Sequence, residues 1–217
     1  METVVGISTD KAAKPVNVMG MTKAIQERIF TSANILNKET RFVCVRYGNV
    51  LASRGSVIPL FHKQVKAGGP VTVTEPTMTR FLINLNKAVD TVFAVIEHGE
   101  AGETFIPIAP SASVENIAKA ITRGKGIDVV VTGIRPGEKL HEILISEEEV
   151  RHTVKKGEYY AIRSMLPELN GGGKIEPLLN DEYSSHDDAL DLEGTYQLLK
   201  DNDLLEVNSN NQEELLR

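Results

Sequence analysis

A strand–helix–strand pattern fills the first 47 residues and restricts the chain to α/β folds with parallel strands. The apolar run Val4, Val5, Gly6, Ile7 predicts a strand over Thr3–Ser8, followed by a polar turn of Ser8, Thr9, Asp10 and Lys11. After Pro15 and Asn17, apolar residues recur at Met21, Ile25, Ile29 and Phe30, in three- and four-residue steps. That spacing predicts an amphipathic helix over Val18–Leu36, with Asn17 as its cap. The run RFVCVRY, Arg41–Tyr47, then reads as a second buried strand. Two strands flanking one helix form a βαβ unit, in which the strands are parallel and the crossover right-handed. Open sheets of this kind take ligands at the carboxyl ends of their strands. The turn Ser8–Lys11 and the loop Gly48–Ser56 are therefore the first places to look for chemistry.

The turn places an acid, Asp10, beside a base, Lys11, and the helix adds Lys23, four residues after Met19. Met19 and Lys23 share one helix face. These charges fit either a solvated ion pair or a proton-transfer group, and structural ion pairs are the commoner case. The loop GNVLASRGS leads into a predicted helix over Val57–Ala67, whose amino terminus suits an anion or a carbonyl-rich ring as well as it suits a surface loop. Arg80 stands among apolar neighbours in TMTRFLI and needs a partner if buried, with Glu75 a local candidate. In IRPGEKLHE, Arg135 precedes a Pro-Gly turn and Glu138 opens an expected helix, an arrangement that taken alone is weak evidence for a site. His141 reads as structural, and His62, His98, His152 and His186 show no metal-ligand spacing, so no metal is expected.

Composition narrows the class further. With 217 residues, 41% hydrophobic, the chain can bury a core, and a formal charge of -6 argues against nucleic-acid or anionic-membrane surfaces. No apolar run approaches the roughly 18 residues that cross a bilayer. Cys44, inside FVCV, reads as a buried strand residue, the usage of a soluble protein in reducing cytoplasm. Further predicted elements are a strand at Val71–Thr74, a helix at Asn86–His98 with Ala88, Val89, Val92, Phe93 and Ile96 on one side, and a strand at Glu103–Ile108. A helix at Val114–Arg123 capped by Ser113 and a strand at Asp128–Thr132 follow. Beyond Glu147 the chain turns polar, with LNGGGKIEP as a flexible link, an extended EYSS segment, a short helix and a disordered-looking NSNNQEELLR end. The sequence has no GxGxxG loop, the usual holder of a dinucleotide pyrophosphate, and Gly171–Gly173 lies in the polar link.

STDKA, a proline and NVMGMTK together resemble the catalytic segment of the extended short-chain dehydrogenase/reductases, and within them the sugar-nucleotide 4,6-dehydratases of bacterial polysaccharide biosynthesis. Most of that superfamily has YxxxK here. Met19 stands at the tyrosine position, as in a branch of UDP-N-acetylglucosamine 4,6-dehydratases that keeps Thr-Asp-Lys before it. RYGNV, SRGSVIP and RPGEKLHE extend the resemblance over about Val4–Tyr160, and the EYxS tail resembles the soluble capsule-type enzymes.

The resemblance implies the carboxyl-terminal part of a Rossmann-like parallel sheet with a smaller α/β substrate-binding portion and an extended tail. Residues 1–56 would belong to the dinucleotide-binding domain, 57–160 mainly to the substrate portion, and 161–217 to linker and tail. The implied activity is UDP-N-acetylglucosamine 4,6-dehydration, a lyase reaction with C5 inversion, for capsule or lipopolysaccharide synthesis. The chain alone is expected to be inactive, because NADP or NAD would be held mainly by an amino-terminal half. Thr9 would bond the C4 oxygen. Asp10 would take the C4 proton and pass one to the departing C6 hydroxyl, and Lys11 would take the C5 proton. Met19 would fill the tyrosine position, while Ser8, Lys23 and Tyr47 would serve the cofactor. Asn49, Arg54, Ser56, Arg80, Arg135 and Glu138 would hold the UDP-sugar, and the tail would join a homo-oligomer. A retaining dehydratase or UDP-sugar 4-epimerase of the same fold, and a non-catalytic UDP-sugar-binding or assembly domain, are the alternatives.

Overall fold

The computed structural model describes residues 1–53, 55–170 and 178–206. In chain order its elements are β1 (Thr3–Thr9), α1 (Val18–Leu36), β2 (Arg41–Tyr47), β3 (Asn49–Val50), α2 (Val57–Lys66), β4 (Val71–Val73), β5 (Thr79–Ile83), α3 (Leu85–His98) and β6 (Thr104–Pro107). They continue with β7 (Ser111–Ser113), α4 (Val114–Thr122), β8 (Val129–Val131), β9 (Ile143–Ile145), α5 (Glu147–Val150), β10 (Thr153–Lys156), β11 (Tyr159–Ile162), β12 (Tyr183–Ser184) and α6 (Leu192–Asp201). Two compact units share the chain: Met1–Gly48, Leu85–Ala109 and Glu142–Ser184 form one, and Asn49–Asn84, Pro110–His141 and Ser185–Arg217 the other. Among the described residues no helix is long and apolar enough to cross a membrane.

The first unit is built on a five-stranded sheet in the order β1-β2-β6-β11-β10. β1 runs parallel to β2 in the register Thr3↔Arg41 to Thr9↔Tyr47, and β2 runs parallel to β6. The α/β fold with parallel, Rossmann-like strands is thus as the βαβ pattern requires. Val43, Val45, Val95, Phe105 and Ala161 form its core. Cys44 is buried and free, and desolvation pushes its thiol up to about 12.

The helix boundaries of α1 match the periodicity, and Asn17 accepts from the Gly20 amide at 2.9 Å as its cap. Most of the apolar stripe, however, points the other way: Met21, Ile25 and Ile29 are exposed and only Phe30 is turned to the sheet, against Phe42, whereas Gly20, Glu27 and Asn34 are buried. Specific partners compensate this inversion. Asn34 Nδ2 donates to the Phe42 carbonyl at 2.9 Å while its Oδ1 accepts from the Phe42 amide at 2.9 Å, and Glu27 pairs with buried Arg46. Gly6 leaves room on β1, since a Cβ there would lie 3.0 Å from both Cys44 Sγ and the Phe30 ring. In α3 the predicted side is split: Ala88 is buried and Val92 packs on the core, with Thr91 and Val95 buried beside them, while Val89, Phe93 and Ile96 are exposed.

The carboxyl-terminal part departs from the sequence reading in two places. Within the polar stretch after Glu147, where no strand is predicted, β10 and β11 pair antiparallel as Thr153↔Ile162 to Lys156↔Tyr159 and extend the sheet beyond β6. Glu138 does not open a helix either, since residues 136–137 form a turn and the next helix is α5. The LNGGGKIEP link, from residue 171, and the NSNNQEELLR end lie outside the described residues.

The second unit holds the sheets β3-β5-β7 and β4-β8. Its core gathers Ile58, Phe61, Val71, Leu82, Ile117 and Leu199. α4 begins as predicted, with Ser113 Oγ accepting from the Asn116 amide at 3.0 Å. α6 buries Thr195 and Leu199, and Arg123 pairs with Glu193 at 3.0 Å.

Candidate active site

In the first unit the chemistry-bearing residues meet where β1 ends. Asp10–Ala12 is one turn of 3-10 helix, and α1 begins against it. Gly20 permits that approach: a Cβ there would stand 2.3 Å from the Lys11 carbonyl oxygen, which no side chain tolerates. Asp10 is wholly buried. Its Oδ1 accepts from Thr9 Oγ1 at 2.8 Å and from Lys11 Nζ at 3.0 Å, and its Oδ2 has no hydrogen-bond partner among the described residues. The Lys11 side chain remains 28% exposed and lies 3.8 Å from Glu142 Oε1 on its other side. The Asp10 contact is a charge-assisted hydrogen bond, and Glu142 adds an ion pair at longer range.

Lys23 Nζ donates to the Ile7 carbonyl at 2.9 Å and to Gln26 Oε1 at 3.0 Å, which fixes it beside the end of β1. Met19, one turn earlier on α1, is 48% exposed. Ser8 is buried and its Oγ has no hydrogen-bond partner among the described residues. Tyr47 sits across from Thr9 in the β1–β2 register, and burial pushes its phenol up.

The second unit contains a cavity of ≈ 200 Å³ lined by Asn49, Ser56, Thr72, Thr74, Arg80 and Arg135, together with Glu138. Asn49 Oδ1 and Ser56 Oγ are buried without a hydrogen-bond partner among the described residues, so both retain unused polar capacity at its wall. Arg80 Nη1 donates to the Thr79 carbonyl at 2.6 Å and Nη2 to the Lys139 carbonyl at 3.1 Å. The Arg135 amide donates to Glu138 Oε2 at 3.1 Å, closing the Pro-Gly turn. Five of the six residues expected to hold a UDP-sugar therefore line one cavity, and the sixth, Arg54, lies outside the described residues. Glu75, the local candidate partner for Arg80, accepts from the Thr77 amide and hydroxyl.

Sequence reasoning missed three features. Glu142 beside Lys11 is one. Another is the buried cluster in which Arg46 bonds Glu27 and Glu149 and donates to the Leu144 carbonyl at 2.8 Å. Its only sequence signal is an arginine inside an apolar strand run. The third is the polar chain on His141, a histidine read from the sequence as structural: its Nδ1 lies 2.8 Å from Thr79 Oγ1, itself 2.7 Å from Ser185 Oγ. Burial, the neighbouring His186 and Arg80 hold its imidazole below the usual range.

Residues 1–164 match the polysaccharide biosynthesis protein family. The chain belongs to that family. A UDP-glucose 4-epimerase from Rickettsia canadensis is 41% identical over 206 residues, covering 90% of this chain and 60% of that protein. The chain thus spans about 60% of the length of the curated relatives it matches. The X-ray structure of Pen from Bacillus thuringiensis matches with a TM-score of 0.84 at 32% identity, over 95% of this chain and 63% of Pen. dTDP-glucose 4,6-dehydratase from Bacillus anthracis, solved in complex with NAD, shares the fold at a TM-score of 0.54 and 17% identity, over 62% of this chain and 51% of that one.

Proposed function

We propose that the protein is a UDP-N-acetylglucosamine 4,6-dehydratase of bacterial surface polysaccharide synthesis, inverting at C5 and using a nicotinamide dinucleotide, NADP by preference. The observation that carries this reading is the Asp10–Lys11 contact of 3.0 Å at the end of β1, followed by Met19 where YxxxK has its tyrosine. A thioether neither takes nor gives a proton at neutral pH. The acid–base work then falls to the two residues of the turn. The unpartnered hydroxyl of Ser8, the ammonium of Lys23 and the phenol of Tyr47 suit a ribose and would hold the cofactor. When bound, the dinucleotide would supply reversible hydride transfer between C4 and C6.

The remaining steps belong to this chain. Thr9 bonds the C4 oxygen, and because Asp10 is covered, the Thr9 hydroxyl 2.8 Å away links it to that oxygen. Asp10 takes the C4 proton and delivers a proton to the C6 hydroxyl, which leaves as water, while Lys11 removes the C5 proton and returns one. Arg80 and Arg135 suit a diphosphate, for which guanidinium is a bidentate donor, and Asn49 and Ser56 suit the polar edges of the nucleotide sugar.

A second reading, UDP-sugar 4-epimerisation, is supported by the relative of that name. The product separates the two: an epimerase keeps the C6 hydroxyl, so a 4-keto-6-deoxy sugar from the full-length protein is the dehydratase result and a C4 epimer is the other. Undiminished turnover by Asp10→Asn would exclude Asp10 as the acid.

A further inference from the structure

The geometry points to Glu142 as a positioning residue for Lys11. This inference rests on the dehydratase reading in one respect only, namely that Lys11 is the base at C5. Glu142 is 3% exposed, and its Oε1 lies 3.8 Å from Lys11 Nζ, while Asp10 Oδ1 lies 3.0 Å from the same nitrogen. The two carboxylates come from different places, Asp10 from the 3-10 turn and Glu142 from the residue before β9. On α1, which packs against the turn, Lys23 is turned to the Ile7 carbonyl and Gln26, and nearby Lys14 is paired with Glu182 at 2.5 Å. Asp10 and Glu142 are thus the carboxylates in ion-pair contact with Lys11 among the described residues.

Two carboxylates facing one ammonium do more than a single pair requires. A lysine has a long, freely rotating stem, and one contact fixes only its distance from Asp10. A second contact from another element fixes its direction. The charge balance points the same way. When Lys11 takes the C5 proton it becomes an ammonium, and a buried carboxylate already in place stabilises that ion without reorganisation. Asp10 serves this purpose poorly at the moment it carries its own proton, whereas Glu142 takes no part in the proton transfers. The proton moves from C5 to Lys11 Nζ, and Glu142 gains and loses nothing.

The test has two parts. Trace acylation of amines at pH 8, read at Lys11 by mass spectrometry, is run on this chain and on its Glu142→Gln and Glu142→Asp variants, with circular dichroism to check folding. Removing a neighbouring carboxylate frees the amine, so Glu142→Gln should acylate Lys11 roughly tenfold faster. Glu142→Asp withdraws the charge by one methylene and should give an intermediate rate, which decides the matter if the Gln variant does not fold. A rate equal to that of the unaltered chain in the folded variants overturns the proposal, whatever reaction the protein catalyses. In the full-length protein, Glu142→Gln should lower kcat about 10- to 100-fold with KM within about twofold, the split expected for a group acting in the transition state. A raised KM with unchanged kcat also overturns the proposal. Absence of dehydration by the unaltered full-length protein instead sinks the dehydratase reading, and the acylation rates still decide whether Glu142 governs Lys11.

Discussion

Replacing Arg46 by methionine tests the inverted packing of α1. Arg46 is 2% exposed, and its Nε and Nη2 donate to the two Glu27 oxygens at 2.9 and 2.5 Å. Nη1 and Nη2 donate to the two Glu149 oxygens, each at 2.8 Å. Methionine fills much of the volume but leaves two buried carboxylates without their cation, a change that costs about 3–5 kcal/mol. For a chain of this length each kcal/mol lowers the thermal midpoint by about 2–4 °C, so the expected drop is about 6–20 °C. The pH dependence gives a sharper signature. Burial pushes the Glu149 carboxyl up, but the Arg46 guanidinium and the Ser146 amide and hydroxyl outweigh it and hold it below the usual carboxylate range. A depressed folded value contributes stability above the unfolded glutamate value of about 4.3, lost as pH falls through the folded value. In Arg46→Met burial, the largest of these effects, is opposed only by the Ser146 amide and hydroxyl, so the folded value rises, and stability is gained as pH falls from 7 towards 5. Melting curves by circular dichroism across pH 4–8 should therefore slope in opposite directions for the two proteins. Parallel slopes, or midpoints within 2 °C, would refute the buried cluster as the reason Glu27 faces the sheet.

Changing Arg80 or Arg135 to Met in the full-length protein should weaken UDP binding by about 1.5–3 kcal/mol by calorimetry, and unchanged affinity would leave both as turn-forming residues. Met19→Leu should leave kcat nearly unchanged in steady-state assays, because volume and apolarity are kept. Asp10→Asn should lower it by about 10²- to 10⁴-fold. The reverse pattern would break the link to the methionine-bearing dehydratases. Ile29→Ser, on the exposed side of α1, should shift urea stability by no more than about 0.5 kcal/mol, and a loss of core size would mean that this face is covered.

What was legible in the sequence depended on range. Local signals were read well: Asn17 and Ser113 cap their helices, and α1 begins and ends where the periodicity does. Periodicity finds a stripe but not the side that faces the core, and on α1 the core side carries Glu27 and Asn34, whose partners Arg46 and Phe42 lie 19 and 8 residues away. β3, β5 and β7 are short strands whose evidence is their pairing with one another, which a local pattern does not contain. The residues of the turn at the end of β1 were legible because they are consecutive. Glu142 was not, because it reaches Lys11 from 131 residues along the chain.

The central claim is that the turn Thr9-Asp10-Lys11 runs a dehydration. The most direct measurement is proton NMR of the full-length protein's product from UDP-N-acetylglucosamine in deuterium oxide with the dinucleotide supplied. The account predicts a 4-keto-6-deoxy sugar, with a methyl signal at C6 and deuterium at C5 delivered by Lys11. A product that keeps its C6 hydroxyl and its C5 proton, epimerised only at C4, would contradict it.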